Sequence, residues 1–258
     1  MSPQTGTPET SLRQQADTLG ILIMKRKTIL LLLAVMSCFT LSLTAAKESN
    51  YFQSGFYFGG ALGASFLDGN RTDTTDVTKI FPESTSMSDD AINASVFAGY
   101  LHRFEGSNWA LAFEPYAQIR NLKDSYSDYI PGPNLGFTET TTFESPWSGG
   151  LNLRFGHVFD SLFVYILGGV DMAHMKVNKT ESGDANSTLF SDTKNVLGFN
   201  LGVGVEKEFE NTHRLGLQVV HTGYKKTTFS GLDSDGVRHS TTVDPSTWSV
   251  QIRYSIPF

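Results

Sequence analysis

The residues able to do chemistry in this chain are six histidines and a scatter of acids and arginines at alternating positions. A histidine activates a serine nucleophile only when the two share a face within hydrogen-bond reach. On an extended strand that means a spacing of two, because adjacent side chains point to opposite faces. In "HTGY" His221 is followed two positions on by Gly223, so the nucleophile is missing. His239 and Ser240 are adjacent and fall in a polar segment read as a loop. His102, His157, His174 and His213 show no metal-ligand spacing. The sequence therefore predicts no catalytic residue, no metal and no cofactor, with His221 read as an interfacial side chain.

The charges lead to the elements that carry them. From Gly55 onward the dominant period is two. In "GFYFGGALGASF" Phe56, Phe58, Leu62 and Phe66 oppose Tyr57, Gly59, Gly63 and Ser65. "WALAFEPYAQIR" sets Trp109, Leu111, Phe113 and Ile119 against Glu114, Gln118 and Arg120. "TFESPWSGGLNLRF" sets Phe143, Trp147, Leu151 and Leu153 against Glu144, Ser148, Asn152 and Arg154. Asp171, Glu206, Arg214 and Arg253 occupy the polar parity of four further segments. Eight such segments can be counted, the last being "STWSVQIRYSIPF". Pro115 and Pro146 each remove a ladder donor, so a bulge or strand-end position is expected at both.

Connections fix the topology. Long polar stretches, roughly 68–89, 121–141, 178–190 and 225–245, alternate strictly with the short links "EGSN", "GHVFDS" and "EFENT". That rhythm predicts an all-β, eight-stranded antiparallel up-and-down barrel over 55–258, with four long loops on one side and short turns on the other. Orientation follows from composition. The polar face mixes glycine and serine with both signs of charge, which suits a narrow interior where ions must pair. Glu114, Arg120, Glu144, Arg154, Asp171, Glu206, Arg214 and Arg253 are expected to form one lumen ion-pair network. Phe56, Tyr100, Phe104, Trp109, Phe155, Phe209, Tyr254 and Phe258 fall at the tight-turn end of the apolar face, the arrangement of an interfacial girdle in lipid.

Composition limits the alternatives. A formal charge of -6, with no cationic cluster beyond the N-terminus, argues against nucleic acid. The run "MKRKTILLLLAVMSCFTLSLTAA" over 24–46 has the basic, apolar and small-residue parts of a signal peptide. Residues 1–23 read as a disordered extension or an over-extended gene start, and 47–54 as a short mature N-terminal segment. Cys38, the only cysteine, would leave with the signal peptide, although "VMSC" loosely resembles a lipoprotein processing site.

The closing alternation with Trp248, Tyr254 and a terminal Phe258 resembles the C-terminal signature of outer-membrane barrels, which the barrel-assembly machinery reads. With "FYFGGALGASF" and "FEPYAQIR", residues 55–258 resemble the small outer-membrane β-barrel superfamily of OmpA-type transmembrane domains and opacity or surface-antigen proteins. Pro257 departs from that pattern. The resemblance implies a monomer in the outer membrane of a Gram-negative cell, surrounded by lipid and lipopolysaccharide. Its expected role is non-enzymatic: adhesion, host contact or envelope integrity through the surface loops, which could equally be a hydrated cover. A small porin and a lipid-modifying hydrolase are the alternative readings. The second is disfavoured by the missing serine.

Overall fold

The computed structural model describes residues 51–75, 83–130, 137–182, 187–209 and 213–258. Residues 1–23, the expected signal peptide 24–46 with Cys38, and the first part of the 47–54 segment lie outside them. The described chain is built from nine strands: β1 Gly55–Thr75, β2 Glu83–Arg103, β3 Trp109–Ile130, β4 Phe137–Phe159, β5 Leu162–Ser182, β6 Ser187–Phe209, β7 His213–Tyr224, β8 Thr227–Leu232 and β9 Arg238–Pro257. Each strand from β1 to β6 pairs antiparallel with the next, β7 pairs with β9, and β9 returns to β1 to close the ring. The closing seam runs from Tyr57↔Pro257 to Thr75↔His239. Eight strands thus make the wall, as the eight alternating segments predict, and β8 is a short extra strand on the outer part of β9.

Closure explains the ordered apolar end. Every backbone donor and acceptor inside hydrocarbon needs an internal partner, and a ring with no edge provides one. Phe258 continues the ladder by donating its N–H to the Phe56 carbonyl at 3.0 Å.

Parity holds through the membrane. Odd residues of β1, β2, β5 and β9 and even residues of β3, β6 and β7 face inward. Outside, Ile92 is 83% exposed and Leu201 69%, values that suit a wall solvated by acyl chains.

The two prolines are accommodated in different ways. The β3–β4 and β4–β5 registers both shift beside Pro146, between Ile119 and Leu122 and between Glu144 and Trp147. This bulge inserts a residue and reverses the facing of β4 above it. Ser148, Asn152 and Arg154 point inward below it, Thr141, Phe143 and Ser145 above. Pro115 keeps its register with β4 opposite Leu151. On its other side the β2–β3 ladder skips from Phe97↔Tyr116 to Tyr100↔Phe113.

The four long connections do lie on one side, but they are largely paired wall rather than loop. β1 and β2 remain in register as far as Asp73↔Glu83, and β3 and β4 as far as Ile130↔Phe137. Strands of 20 to 23 residues, such as β6 and β9, are about twice what a bilayer crossing needs. The surplus carries the wall about 25 Å beyond the apolar band.

That outer wall has two discontinuities. The β2–β3 ladder stops at Asn93↔Arg120, and above it the Ser88 amide donates to Asp124 Oδ1 at 3.4 Å and the Lys123 amide to Asp89 Oδ2 at 2.6 Å. The second lies between β6 and β8. The highest β6–β7 pair is Gly198↔Tyr224, and β8 pairs with β9 but not with β6. Three polar contacts span the gap instead: Lys225 N–H to the Leu197 carbonyl at 2.9 Å, Lys194 Nζ to the Thr228 carbonyl at 2.5 Å, and Ser230 N–H to Asp192 Oδ2 at 3.1 Å.

The β8–β9 hairpin is tied at its tip by Asp233. Its Oδ1 accepts the amides of Asp235 and Val237 at 2.9 and 2.8 Å, and its Oδ2 meets His239 Nε2 at 2.8 Å. The His239 hydrogen bond is the main reason the Asp233 carboxyl is held below the ordinary aspartate range. A group with a depressed folded pKa stabilises the fold above its unfolded value, near pH 4, and that stability is lost as pH falls through the folded value. Acidification below about pH 4 is therefore expected to lower the hydrogen-exchange protection factors of the Asp235 and Val237 amides, each taken against the intrinsic rate at the same pH. In Asp233→Asn protection should already be weak at neutral pH, with little further loss on acidification.

Candidate functional site

The lumen is the place where charge has been brought together, and it is arranged in layers. At the tight-turn end the chain before β1 folds back into the mouth. Phe52 is fully buried, with a left-handed φ of 53°. Its N–H donates to Glu208 Oε2 at 3.1 Å, its ring packs on Phe163 at 5.5 Å, and the Arg214 guanidinium lies 4.8 Å above it. Arg214 is in turn paired with Glu208 at 2.7 Å.

Above this cap sits a quartet. Arg154 reaches Glu114 Oε2 at 3.2 Å and Glu206 Oε1 at 2.5 Å, and Arg253 reaches the same two oxygens at 2.6 and 3.0 Å. Tyr57 and Tyr165 complete it. The Tyr57 hydroxyl donates to Glu114 at 2.9 Å and accepts from Arg154 at 2.8 Å, while Tyr165 bonds Glu206 and Gln218. Arg154 also stacks over the Tyr165 ring at 4.8 Å. Two arginines and two glutamates, all buried, form a neutral unit in which each charge has partners, the condition for tolerating charge in a low dielectric.

The next layer runs through tyrosines. Arg120 donates to the Tyr224 hydroxyl at 2.7 Å, and Tyr224 donates to Asp171 at 2.7 Å. Tyr116 donates to the other Asp171 oxygen, and Asn200 to Tyr116. A void of about 30 Å³ lies between these layers, room for one or two waters. An apolar plug that includes Leu122, Phe143, Met175, Val196, Phe229 and Val243 closes the lumen above. Beyond the plug, in the segments read from sequence as loops, Arg71 is fully buried between Asp73 and Asp124, and Lys179 pairs with Glu139 at 2.7 Å.

Seven of the eight residues expected in the network point into the lumen, but they form three clusters rather than one. Glu144 does not. The bulge beside Pro146 turns it to the outer face, where it meets Lys123 at 3.2 Å. Its place in the interior balance is taken by Glu208, near the end of β6 and the first residue of the link "EFENT" read from sequence as a turn. Four lumen arginines, Arg120, Arg154, Arg214 and Arg253, are thus matched by Glu114, Asp171, Glu206 and Glu208. The inward-facing parity of Glu208, two residues after Glu206, was the available signal.

Two interior glycines make room for the tyrosines. A Cβ on Gly204 would overlap the Tyr165 ring, and one on Gly99 would overlap Tyr57. Gly204→Ala should displace Tyr165 from Glu206 and Gln218. An overpacking cost of about 1–3 kcal/mol is expected, read from urea unfolding of the refolded barrel on unboiled gels.

The outer surface carries two belts. The tight-turn belt holds all eight aromatics expected there, each exposed, with Trp109 stacked on Phe155 at 5.0 Å. Within it Phe258 stacks on Phe56 at 6.1 Å and Tyr254 bonds His213 at 2.6 Å. The loop-side belt was foreseen only in His221, read as an interfacial side chain. His174 stacks on its cross-strand partner Trp147 at 5.1 Å, and His221 packs on Trp248 at 4.7 Å. Five histidines, at 102, 157, 174, 213 and 221, therefore lie against aromatic rings in the belts. The sixth, His239, faces Asp233, and its neighbour Ser240 bonds the Thr74 carbonyl instead. The pair ties the hairpin, and the adjacent hydroxyl is engaged on the neighbouring strand.

The model of the outer membrane protein beta-barrel domain matches residues 31–255. The chain belongs to that family. Its place is the outer membrane, with the belted apolar wall in the bilayer. Among solved structures it is similar to the outer membrane protein OprG from Pseudomonas aeruginosa, at 13% identity and a TM-score of 0.52 over 82% of this chain and 99% of that one. It is also similar to the outer membrane protease OmpT from Escherichia coli (7% identity, TM-score 0.49, 84% and 99% covered) and to Neisserial surface protein A (11%, 0.35, 80% and 98%). At these identities the likeness to OprG concerns the fold, and the other two carry no argument. No curated protein matches the chain in sequence.

Proposed function

We propose that this outer-membrane barrel is a non-enzymatic surface scaffold whose four paired-strand projections present a binding surface for adhesion or host contact. The supporting observation is the filled lumen below a rigid outer wall: a cap, an ionic quartet and an apolar plug succeed one another along the axis. Eight strands leave an interior that side chains can fill, so the scaffold role is favoured over transport. The projections are paired hairpins, β1–β2, β3–β4, β5–β6 and β8–β9. Outward hydroxyl pairs such as Ser127–Thr140 and Thr228–Thr242 line this wall with polar groups suited to polar ligands. The signal peptide at 24–46, recognition of Trp248, Tyr254 and Phe258 by the barrel-assembly machinery, and a monomeric state belong to the same proposal.

The test pairs two measurements on one preparation. Planar-bilayer recordings should give no reproducible solute-sized conductance steps, and steps of that kind would replace the scaffold reading with a small porin. Cells displaying the barrel should attach to host-cell or matrix surfaces, and shortening the β1–β2 and β3–β4 projections to the height of the loop-side belt should abolish attachment. Attachment unchanged by that trimming would refute the proposal.

A further inference from the structure

Beyond the row Lys123↔Glu144↔Lys176, the outer face of β3, β4 and β5 carries no charged side chain among the described residues. The register sets its side chains in rows. Ser125↔Thr142↔Asn178 is the row nearest the membrane, and Ser127↔Thr140↔Thr180 follows. Tyr129↔Thr138↔Ser182 is the outermost. The flanking strands continue the pattern, with Ser86 and Ser88 exposed on β2 and Ser191 on β6. A surface that serves only as a hydrated cover holds about a quarter or more of its residues charged, so neutrality across this many strands is a departure. Tyr129 sharpens the contrast. It is 62% exposed and stands well beyond the belts, where no acyl chain meets its ring.

We propose that this face binds a neutral glycan. That rests on the scaffold reading and names the ligand class of one part of its surface. A sugar ring presents hydroxyls that both donate and accept, together with an apolar face of C–H groups, and the protein face answers both. In the pairs Ser125–Thr142, at 3.1 Å, and Ser127–Thr140, at 2.8 Å, one hydroxyl donates to the other. The second hydroxyl of each pair keeps its proton for a ligand, and both keep lone pairs to accept with. The exposed Tyr129 ring is a stacking surface for the C–H face. Rows about 7 Å apart along strands about 4.8 Å apart give the face the reach of a short oligosaccharide. Nothing on it selects an anionic glycan, because Lys123 and Lys176 at its lower edge stand beside Glu144 and, across the β2–β3 gap, Asp89.

The experiment uses cells displaying the whole barrel and an array of immobilised neutral oligosaccharides built from glucose, galactose, mannose and the N-acetylhexosamines. Sialylated and sulfated counterparts are the anionic comparison. At least one neutral oligosaccharide should retain the cells, in preference to its anionic counterpart. Tyr129→Ala should lower that retention about ten-fold, the loss expected for an aromatic anchor, and Tyr129→Phe, which keeps the ring, should preserve it. Ser127→Ala with Thr140→Ala should lower it as well, whereas Thr228→Ala with Thr242→Ala, a hydroxyl pair of the β8–β9 hairpin, should leave it unchanged. Heat-modifiable migration verifies folding of each variant. Three outcomes overturn the proposal: no neutral oligosaccharide retains the cells, the anionic ones are preferred, or the Tyr129→Ala barrel is retained as well as the parent. Attachment to host cells whose glycans have been oxidised by periodate separates the two readings. Attachment that survives periodate but is lost on trimming the projections removes the glycan and leaves the scaffold standing, while attachment indifferent to both removes the two together.

Discussion

Arg154→Ala should be the most damaging single substitution in the barrel. It removes the partner of Glu114 and Glu206 at once and leaves two buried carboxylates sharing Arg253 alone. Breaking a buried ion pair from one side costs about 3–5 kcal/mol, because the remaining charge keeps its desolvation penalty without its compensation. Loss of stacking on Tyr57 and Tyr165 adds to this. The expected result is a marked fall in the urea midpoint of the refolded protein, with the unboiled gel band shifting toward the unfolded position. The quartet as a whole behaves differently. Replacing it together, Glu114→Gln, Glu206→Gln, Arg154→Met and Arg253→Met, removes the charges along with their need for partners. That variant should be far closer to the parent than Arg154→Ala is. If the single substitution were as mild as the quadruple one, the four residues would not be acting as a unit.

The second large effect concerns the wall. Ile252 is 61% exposed and lies between the belts marked by Trp248 and Phe258 on β9, while its neighbour Gln251 is buried in the lumen. Ile252→Arg should cost about 2–4 kcal/mol, the penalty for a cation near the bilayer midplane on a barrel's lipid face. The same change at Ser127, outward-facing on the part of β3 beyond the loop-side belt, should cost almost nothing, since its surroundings there are aqueous. Unfolding titrations of the two variants in lipid vesicles, side by side, provide the comparison. An indifferent Ile252→Arg would mean that the apolar wall does not face acyl chains.

Lipid on one side and a packed lumen on the other explain what could be read in advance. Between the belts the two solvents differ at every second residue, so Phe56, Trp109, Ile252 and Arg253 declare their facing by type alone. Beyond the loop-side belt the outer face is polar, and the inner face mixes the apolar plug with buried polar groups such as Arg71, Thr141 and Lys179. Thr, Ser and Asp then alternate with one another, and paired strand is indistinguishable from loop: β1 past Asp68 and β3 past Asn121 were read as connections for this reason. Arg71, Lys179 and Phe143 hide in those stretches, and nothing local marks them as interior. Glu144 illustrates a narrower limit. A disruption was expected at Pro146, but a bulge of one residue reverses facing only on one side of itself, and parity counted across it gives the wrong answer. Phe52 precedes the first alternating segment, so no periodicity could have announced that it turns back into the mouth.

The missing ladders between β6 and β8 and between β2 and β3 have a mechanical consequence. A complete hydrogen-bonded ring resists dilation through hoop tension, and below Leu197 the cylinder has that resistance. Above Leu197 it is slit along two seams, between β6 and β8 and between β2 and β3. Under outward load the wall will part along these seams, restrained by the grip of Lys194 and Asp192 at one and of Asp89 and Asp124 at the other, while the girth of the membrane-embedded section stays fixed.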